Sequence, residues 1–173
     1  MYSQNNDLTE FLVKIGATII GVKPSELLNI EINNLDLTKK KITQYPYLEY
    51  KEIRLLKKLP RMQMLFYHRQ SLEMILKKKY NLRFLQQLGY PQVFNLEKYV
   101  DILTWKLRSG VFPHEIGVFL GYPLKDVYGY MGKYPLKLVG TKGWRYYGNE
   151  KLSQLQYQKF VAARELFKKI LNP

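Results

Sequence analysis

Cysteine is absent from the chain, which excludes disulfides, thiolate metal ligands, cysteine-held iron-sulfur clusters and cysteine nucleophiles together. Histidine is nearly as scarce: His68 and His114 are the only two, too few for a multi-histidine metal centre. No run approaches the roughly eighteen apolar residues of a membrane-crossing helix. The opening Met1-Tyr-Ser-Gln-Asn-Asn-Asp lacks the basic and then apolar segments of a secretory leader. The expectation is a cytoplasmic protein with no membrane span. Gly-rich phosphate loops, Gly-x-Ser-x-Gly elbows and paired-carboxylate motifs are missing too, so the balance tilts from catalysis toward binding.

What the chain has in quantity is positive charge and apolar residues. At 173 residues and 46% hydrophobic, it can bury a sizeable core as a single domain spanning 1–173. The net charge of +14 is unevenly spread: residues 51–83 hold ten Lys/Arg against two Asp/Glu, and residues 124–173 hold ten against three. Residues 84–123 balance at three against three, and residues 1–50 are slightly acidic. Two basic blocks flanking a neutral middle can steer an acidic protein, an anionic ligand or nucleic acid, or simply solvate helix faces.

The apolar spacing predicts a helix from an Asp7 cap through Leu8, Phe11, Leu12, Ile15 and Ile19, stopped at Gly21. Pro24 would open a short helical turn over Lys23 to Leu28, and Glu31 to Gln44 reads as loop with some extended structure. Pro60 splits two short apolar runs, around Ile53 and Met62, which read as strands. Helices follow over Gln70 to Lys79 and Leu82 to Leu88, and from an Asn95 cap to about Arg108 with Leu96, Tyr99, Val100, Leu103 and Leu107 inward. Leu136 to Val139 and Trp144 to Tyr147 flank Gly140-Thr-Lys-Gly143 as a hairpin. A last helix capped by Asn149 would turn Leu152, Leu155, Phe160, Ala163, Phe167 and Ile170 inward. The fold class is α+β: mostly helical, with a small antiparallel sheet.

Two tetrapeptides echo each other, Leu88-Gly-Tyr-Pro91 and Leu120-Gly-Tyr-Pro123. A left-handed glycine followed by proline suits a tight link between helices. The second lies in Phe112-Pro-His-Glu-Ile-Gly-Val-Phe-Leu-Gly-Tyr-Pro-Leu-Lys-Asp-Val-Tyr-Gly-Tyr130, where Ile116, Gly117, Leu120, Gly121 and Val127 fall at the core positions of a helix-turn-helix-like pair. A DNA-reading helix needs long polar side chains at base edges, and Leu124 to Met131 offers one Lys, cancelled by Asp126.

The same residues resemble the signature of a domain-of-unknown-function family from anaerobic bacteria, Phe-Pro-His-Glu-Ile-Gly-x-Phe-Leu-Gly-Tyr-Pro-x-x-Asp-Val. The resemblance extends to Ala17-Thr-Ile-Ile-Gly-Val-Lys-Pro-Ser-Glu-Leu27, to Leu65-Phe-Tyr-His-Arg69 and to Gly143-Trp-Arg-Tyr-Tyr-Gly148, covering residues 10–165. The family's central block reads Tyr-Arg; Tyr67-His-Arg departs from it and leaves His68 and Arg69 as two candidates for its basic position. The resemblance implies a part in iron or haem handling or in flavodoxin-linked redox. Flavodoxins are acidic, and a basic block such as Lys77, Lys78 and Lys79 is complementary to one.

Adjacent helix positions point about 100° apart, so His114 and Glu115 do not form a metal pair. His114 or His68 could serve as a single axial ligand to haem, with Lys or Arg on its propionates. Lys23 stands where an apolar run ends and can meet an anion there. Trp144 and Tyr146 share one strand face and either stack on a planar ligand or fill core, with Tyr147 opposite. The candidate ligand-binding residues are therefore His114, Glu115, Tyr122, Lys23, Arg69 and Trp144, with Lys77 to Lys79 facing a partner. The alternatives are nucleic-acid binding through 112–131 and its basic flanks, and a small enzyme using Glu115 or His114 as acid or base.

Overall fold

The computed structural model describes residues 2–56, 60–110 and 112–171. A first helix, α1 (Tyr2–Ile19), leads into strand β1 (Ser25–Glu31), a single 3-10 turn and α2 (Leu35–Ile42). Strands β2 (Leu48–Leu56) and β3 (Arg61–His68) follow. Five helices come next: α3 (Arg69–Leu76), α4 (Lys79–Gln87), α5 (Leu96–Arg108), α6 (Ile116–Phe119) and α7 (Leu124–Tyr130). The hairpin β4 (Leu138–Lys142) and β5 (Trp144–Tyr147) and the long α8 (Glu150–Leu171) complete the α+β fold.

The three-stranded sheet has the order β1-β3-β2, antiparallel throughout. Its central strand explains the layering. Met64, Leu65, Phe66 and Tyr67 are all buried, and because strand side chains alternate, Met64 and Phe66 enter one core while Leu65 and Tyr67 enter another. The first core is closed by Phe11, Leu12 and Ile15 of α1, Ile42 of α2 and Phe167 of α8. The second is built from α3, α4, α5, α6 and α7 around Leu72, Phe84, Tyr99, Leu103 and Phe119. On α1, Gly16 is required by close approach, since a Cβ there would lie 2.9 Å from Phe167 Cβ.

Several local expectations change. α1 begins at Tyr2 rather than at an Asp7 cap. Residues 25–31 form a strand, not a helical turn, because pairing with β3 outweighs what Pro24 permits locally; Pro24 O accepts from His68 N at 3.0 Å beside the strand. The expected loop 31–44 contains α2, held by buried Thr38 and Ile42. The hairpin turn is tighter than glycine spacing suggested: β4 runs through Gly140 to Lys142, and Gly143 alone takes positive φ, +76°. On α8, Phe160, Ala163 and Phe167 face inward, but Leu152, Leu155 and Ile170 are exposed.

Other local readings hold. Asn95 caps α5, its side chain accepting from Lys98 N at 2.9 Å, and all five predicted inward residues are buried. Gly89 and Gly121 of the two echoed tetrapeptides both take positive φ, +90° and +78°. Pro123 precedes α7 directly, whereas Pro91 is followed by a bent, irregular stretch before α5.

His68 ends β3 and caps α3: Nδ1 accepts from Ser71 N at 3.3 Å, and Ser71 Oγ donates to Gly21 O at 2.6 Å. Burial holds its imidazole below the ordinary value near 6.5. A depressed folded-state value means that the unfolded chain binds the proton more readily, so stability is full above about pH 6.5 and falls as pH drops through the lower folded value. Denaturant titrations from pH 7.5 to 5 are expected to show this decline. In His68→Asn, which keeps a capping acceptor, the decline should be shallower; an unchanged slope would assign it to other groups.

Candidate functional site

The best-formed cleft near the predicted centre lies between the α6–α7 pair and the β4–β5 hairpin. The two helices are short, four and seven residues, and close contact sets their angle: a Cβ on Gly117 would stand 2.8 Å from Val127 Cγ2. Gly129 on α7 plays the same part against the hairpin, where a Cβ would collide with the Tyr147 ring.

Asp126 fixes the join. It is 2% exposed, and its Oδ1 accepts from Lys125 Nζ at 2.6 Å and Tyr147 N at 2.8 Å. Its Oδ2 accepts from Trp144 Nε1 at 2.8 Å and from Ser153 Oγ at 2.7 Å. One carboxylate thereby ties α7, β5 and the first turns of α8. Lys125 is consumed inside the same network, donating also to Tyr147 O and Ser153 Oγ.

With Trp144 held in place, Tyr122 stacks on it, ring centroids 4.3 Å apart and planes within 15°. Burial first, and the nearby Glu26 carboxylate second, push the Tyr122 phenol up to about 12. These rings form one wall of a cavity of about 310 Å³ whose lining also includes Ile116, Leu120 and Val127. Phe112, His114, Tyr130 and Arg145 also line it. The His114 ring lies 5.0 Å from Tyr130 edge-on and 6.1 Å from Phe112, and Arg145 Cζ sits 5.7 Å from the Tyr130 centroid. Phe112 and Tyr130 are each about half exposed, an arrangement that costs apolar hydration; their exposures are 50% and 49%.

Of the six predicted ligand-binding residues, the structure gathers His114, Tyr122 and Trp144 at this cleft. Glu115 turns the other way, into the second core, where Oε1 accepts from Lys106 Nζ at 2.7 Å and Tyr90 OH at 3.2 Å. Lys23 is buried outside the cleft lining, ion-paired to Glu26 at 2.6 Å. Arg69 is elsewhere, joining Glu49 of β2 at 3.0 Å to Glu97 of α5; Tyr67 OH donates to the same Glu49 at 2.6 Å.

Lys77, Lys78 and Lys79 are exposed at the α3–α4 junction. Lys77 pairs with Glu73, and no ion pair of Lys78 or Lys79 is formed among the described residues. Lys133 of the C-terminal basic block lies with Nζ 4.8 Å over the Phe84 ring of α4.

Tyr130 and Arg145 were not singled out in the sequence: Tyr130 closes the Phe112–Tyr130 segment and Arg145 lies in the Gly143–Gly148 block, but neither stands in a pattern specific to one chemistry. The available signal was positional: Tyr130 follows Asp126 by one helical turn, and Arg145 sits between two residues already assigned to the hairpin. As a DNA reader α7 is poorly equipped. It spans only ~10 Å, Asp126 and Val127 are buried, and its single lysine points inward. Among the described residues no group of three or more His, Asp and Glu could hold a metal ion, and no helix is long and apolar enough to cross a membrane.

The family model that matches is described as "Protein of unknown function (DUF3793)" and covers residues 11–173. No curated protein and no solved structure matches the chain.

Proposed function

Because the chain belongs to the DUF3793 family of proteins of unknown function, we propose from its geometry that it is a cytoplasmic binding protein whose cleft takes a planar anionic ligand. The observation that carries this reading is the cleft itself: the stacked Tyr122–Trp144 pair lines the same cavity as His114 and Arg145, together with the apolar Ile116, Leu120 and Val127. Aromatic walls take up a flat ring system with little loss of conformational freedom, and a guanidinium at the rim supplies the counter-charge for a carboxylate or phosphate. A volume of about 310 Å³ is at the small end of ligand sites, so a flavin ring fits the slot better than a whole tetrapyrrole does. Haem would bind at the rim with His114 as a single axial ligand.

The acidic partner, such as a flavodoxin, belongs to the same proposal and docks on Lys78 and Lys79. Separation of this block from the ligand cleft allows each to be tested alone. FMN is expected to bind with quenching of its fluorescence, and haemin with a shift of the Soret band. His114→Ala should weaken haemin at least tenfold, and Arg145→Gln should weaken FMN similarly. The combined variant Lys77→Glu, Lys78→Glu, Lys79→Glu should leave both titrations unchanged while abolishing association with flavodoxin. If neither dye binds in the micromolar range, the ligand reading fails; if the charge-reversed variant still captures flavodoxin, the docking reading fails.

A further inference from the structure

Leu152, Leu155 and Ile170, which the spacing within α8 places inward, stand in solvent together with Leu166, and the four are between 46% and 60% exposed. With Lys159 and the exposed Ala162 they form a row: Leu152, Leu155, Lys159, Ala162 and Leu166 follow one another at steps of three and four. Leu152, Ala162 and Leu166 each immediately precede a buried residue, Ser153, Ala163 and Phe167. This second stripe therefore lies about 100° round the helix from the one that packs on the body. Its flank on the open side, Lys151, Gln158, Glu165 and Lys169, is exposed as well. Nothing among the described residues covers the row. A contiguous exposed apolar patch marks an interaction site more often than chance, and alternate steps of three and four are the spacing of a coiled-coil seam.

The order of the row says what covers it. Leu152 and Ile170 each lie nine positions from Val161, Leu155 and Leu166 lie six and five positions from it, and Lys159 and Ala162 two and one. Reversing the helix about that point lays large apolar side chains on one another and sets the one lysine of the row on its smallest member. We propose that α8 is an interface with a second copy of this chain, the two helices packed antiparallel about a two-fold axis near Val161. Lys159 meets Ala162 of the second copy, where a small side chain leaves room for the lysine stem. Glu165 of that copy, one turn further on, supplies the opposite charge. Neither Lys159 nor Glu165 has an ion pair within its own chain among the described residues. A lysine at one core position of such a seam fixes its register at some cost in stability. Two helices of this length bury about the 1,000 Å² at which specific interfaces begin, so the dimer is weak and reversible. Charge opposes it: the overlay brings Lys169 near Lys151 of the second copy, and each copy carries +14. Salt screens that repulsion and favours association, whereas an acidic helix docked on the same face would be released by salt. No residue of α8 lines the Trp144 cleft, so this interface does not rest on the planar-ligand reading.

The experiment is sedimentation of the intact protein over a range of concentrations, at low and at high salt. A monomer–dimer equilibrium in the micromolar range is expected, tightening at least tenfold at high salt. The combined variant Leu155→Lys, Leu166→Lys changes only exposed positions; it should keep the circular dichroism of the unmodified protein and lose the dimer. Lys169→Glu should tighten the dimer more than Lys78→Glu, which makes the same change of charge away from α8. Orientation is read separately, because the chain has no cysteine of its own. When Leu152→Cys and Ile170→Cys proteins are mixed and oxidised, the crossed disulfide should form in preference to either like pair, and this result decides the matter should the lysine variant fail to fold. A protein that stays monomeric at every concentration and salt would overturn the proposal, as would a dimer that survives in the folded lysine variant. A dimer that loosens with salt, or like disulfides in excess of the crossed one, would overturn the antiparallel self-pairing.

Discussion

Asp126→Ala is expected to lose about 4 kcal/mol of unfolding free energy, the scale on which breaking a buried ionic network falls. The reason is the number of groups left behind. Truncation strands the Tyr147 amide and the Ser153 hydroxyl in the interior and the Trp144 indole N–H at the part-buried edge of the cleft. It also leaves Lys125 with neutral acceptors only. Each unsatisfied buried donor costs on the order of 1–3 kcal/mol, partly recovered as water enters. Asp126→Asn should lose less, because one acceptor oxygen survives. Equilibrium denaturation measures both, and near-UV circular dichroism reports the freed Trp144 directly. A loss below about 1 kcal/mol for the alanine variant would show that the junction is held by packing, with the carboxylate dispensable.

The second large effect is expected at Glu115, with Glu115→Ala costing about 3 kcal/mol. Tyr90, 2% exposed, would lose its hydroxyl partner. Lys106, whose side chain is 24% exposed, would keep only Leu88 O as an acceptor. Glu97→Ala provides the contrast, since the Arg69–Glu97 pair is about half exposed and such pairs contribute roughly 0–1 kcal/mol. If the two substitutions cost the same, the burial argument fails. Glu115→Ala bears on function as well. A carboxylate acting as acid or base in the cleft would abolish ligand binding or turnover out of proportion to stability, whereas a carboxylate serving the second core changes stability alone.

The sequence reading succeeded where one local rule agrees with the tertiary environment. The Asn95 cap and five inward apolar residues of α5 are one case. The left-handed glycines at 89, 121 and 143 are another, because their conformation is decided within a turn. It failed where a distant partner decides. Residues 25–31 become a strand because β3 pairs with them. The buried face of α8 follows from the positions of Gly16 and Lys23 against Phe167 and Phe160, which no spacing within α8 encodes. The candidate site divides the same way. His114, Tyr122 and Trp144 could be singled out from composition and motif, but the split between adjacent residues, His114 outward and Glu115 inward, depends on Lys106 and Tyr90 from other segments.

Gly16 against Phe167 has a further consequence, for the order of synthesis. α1 is made well before α8, the helix that covers it, with both sheets and six other helices between them. At the usual pace of translation the wait is on the order of ten seconds. During that interval the apolar face of Phe11, Leu12 and Ile15 has no lid from α8, although β3, whose Met64 and Phe66 share its core, is made long before α8. A nascent chain of this protein therefore carries α1 covered by the sheet but open on its Gly16 face until α8 is made, and that face is the one left for a chaperone to shield.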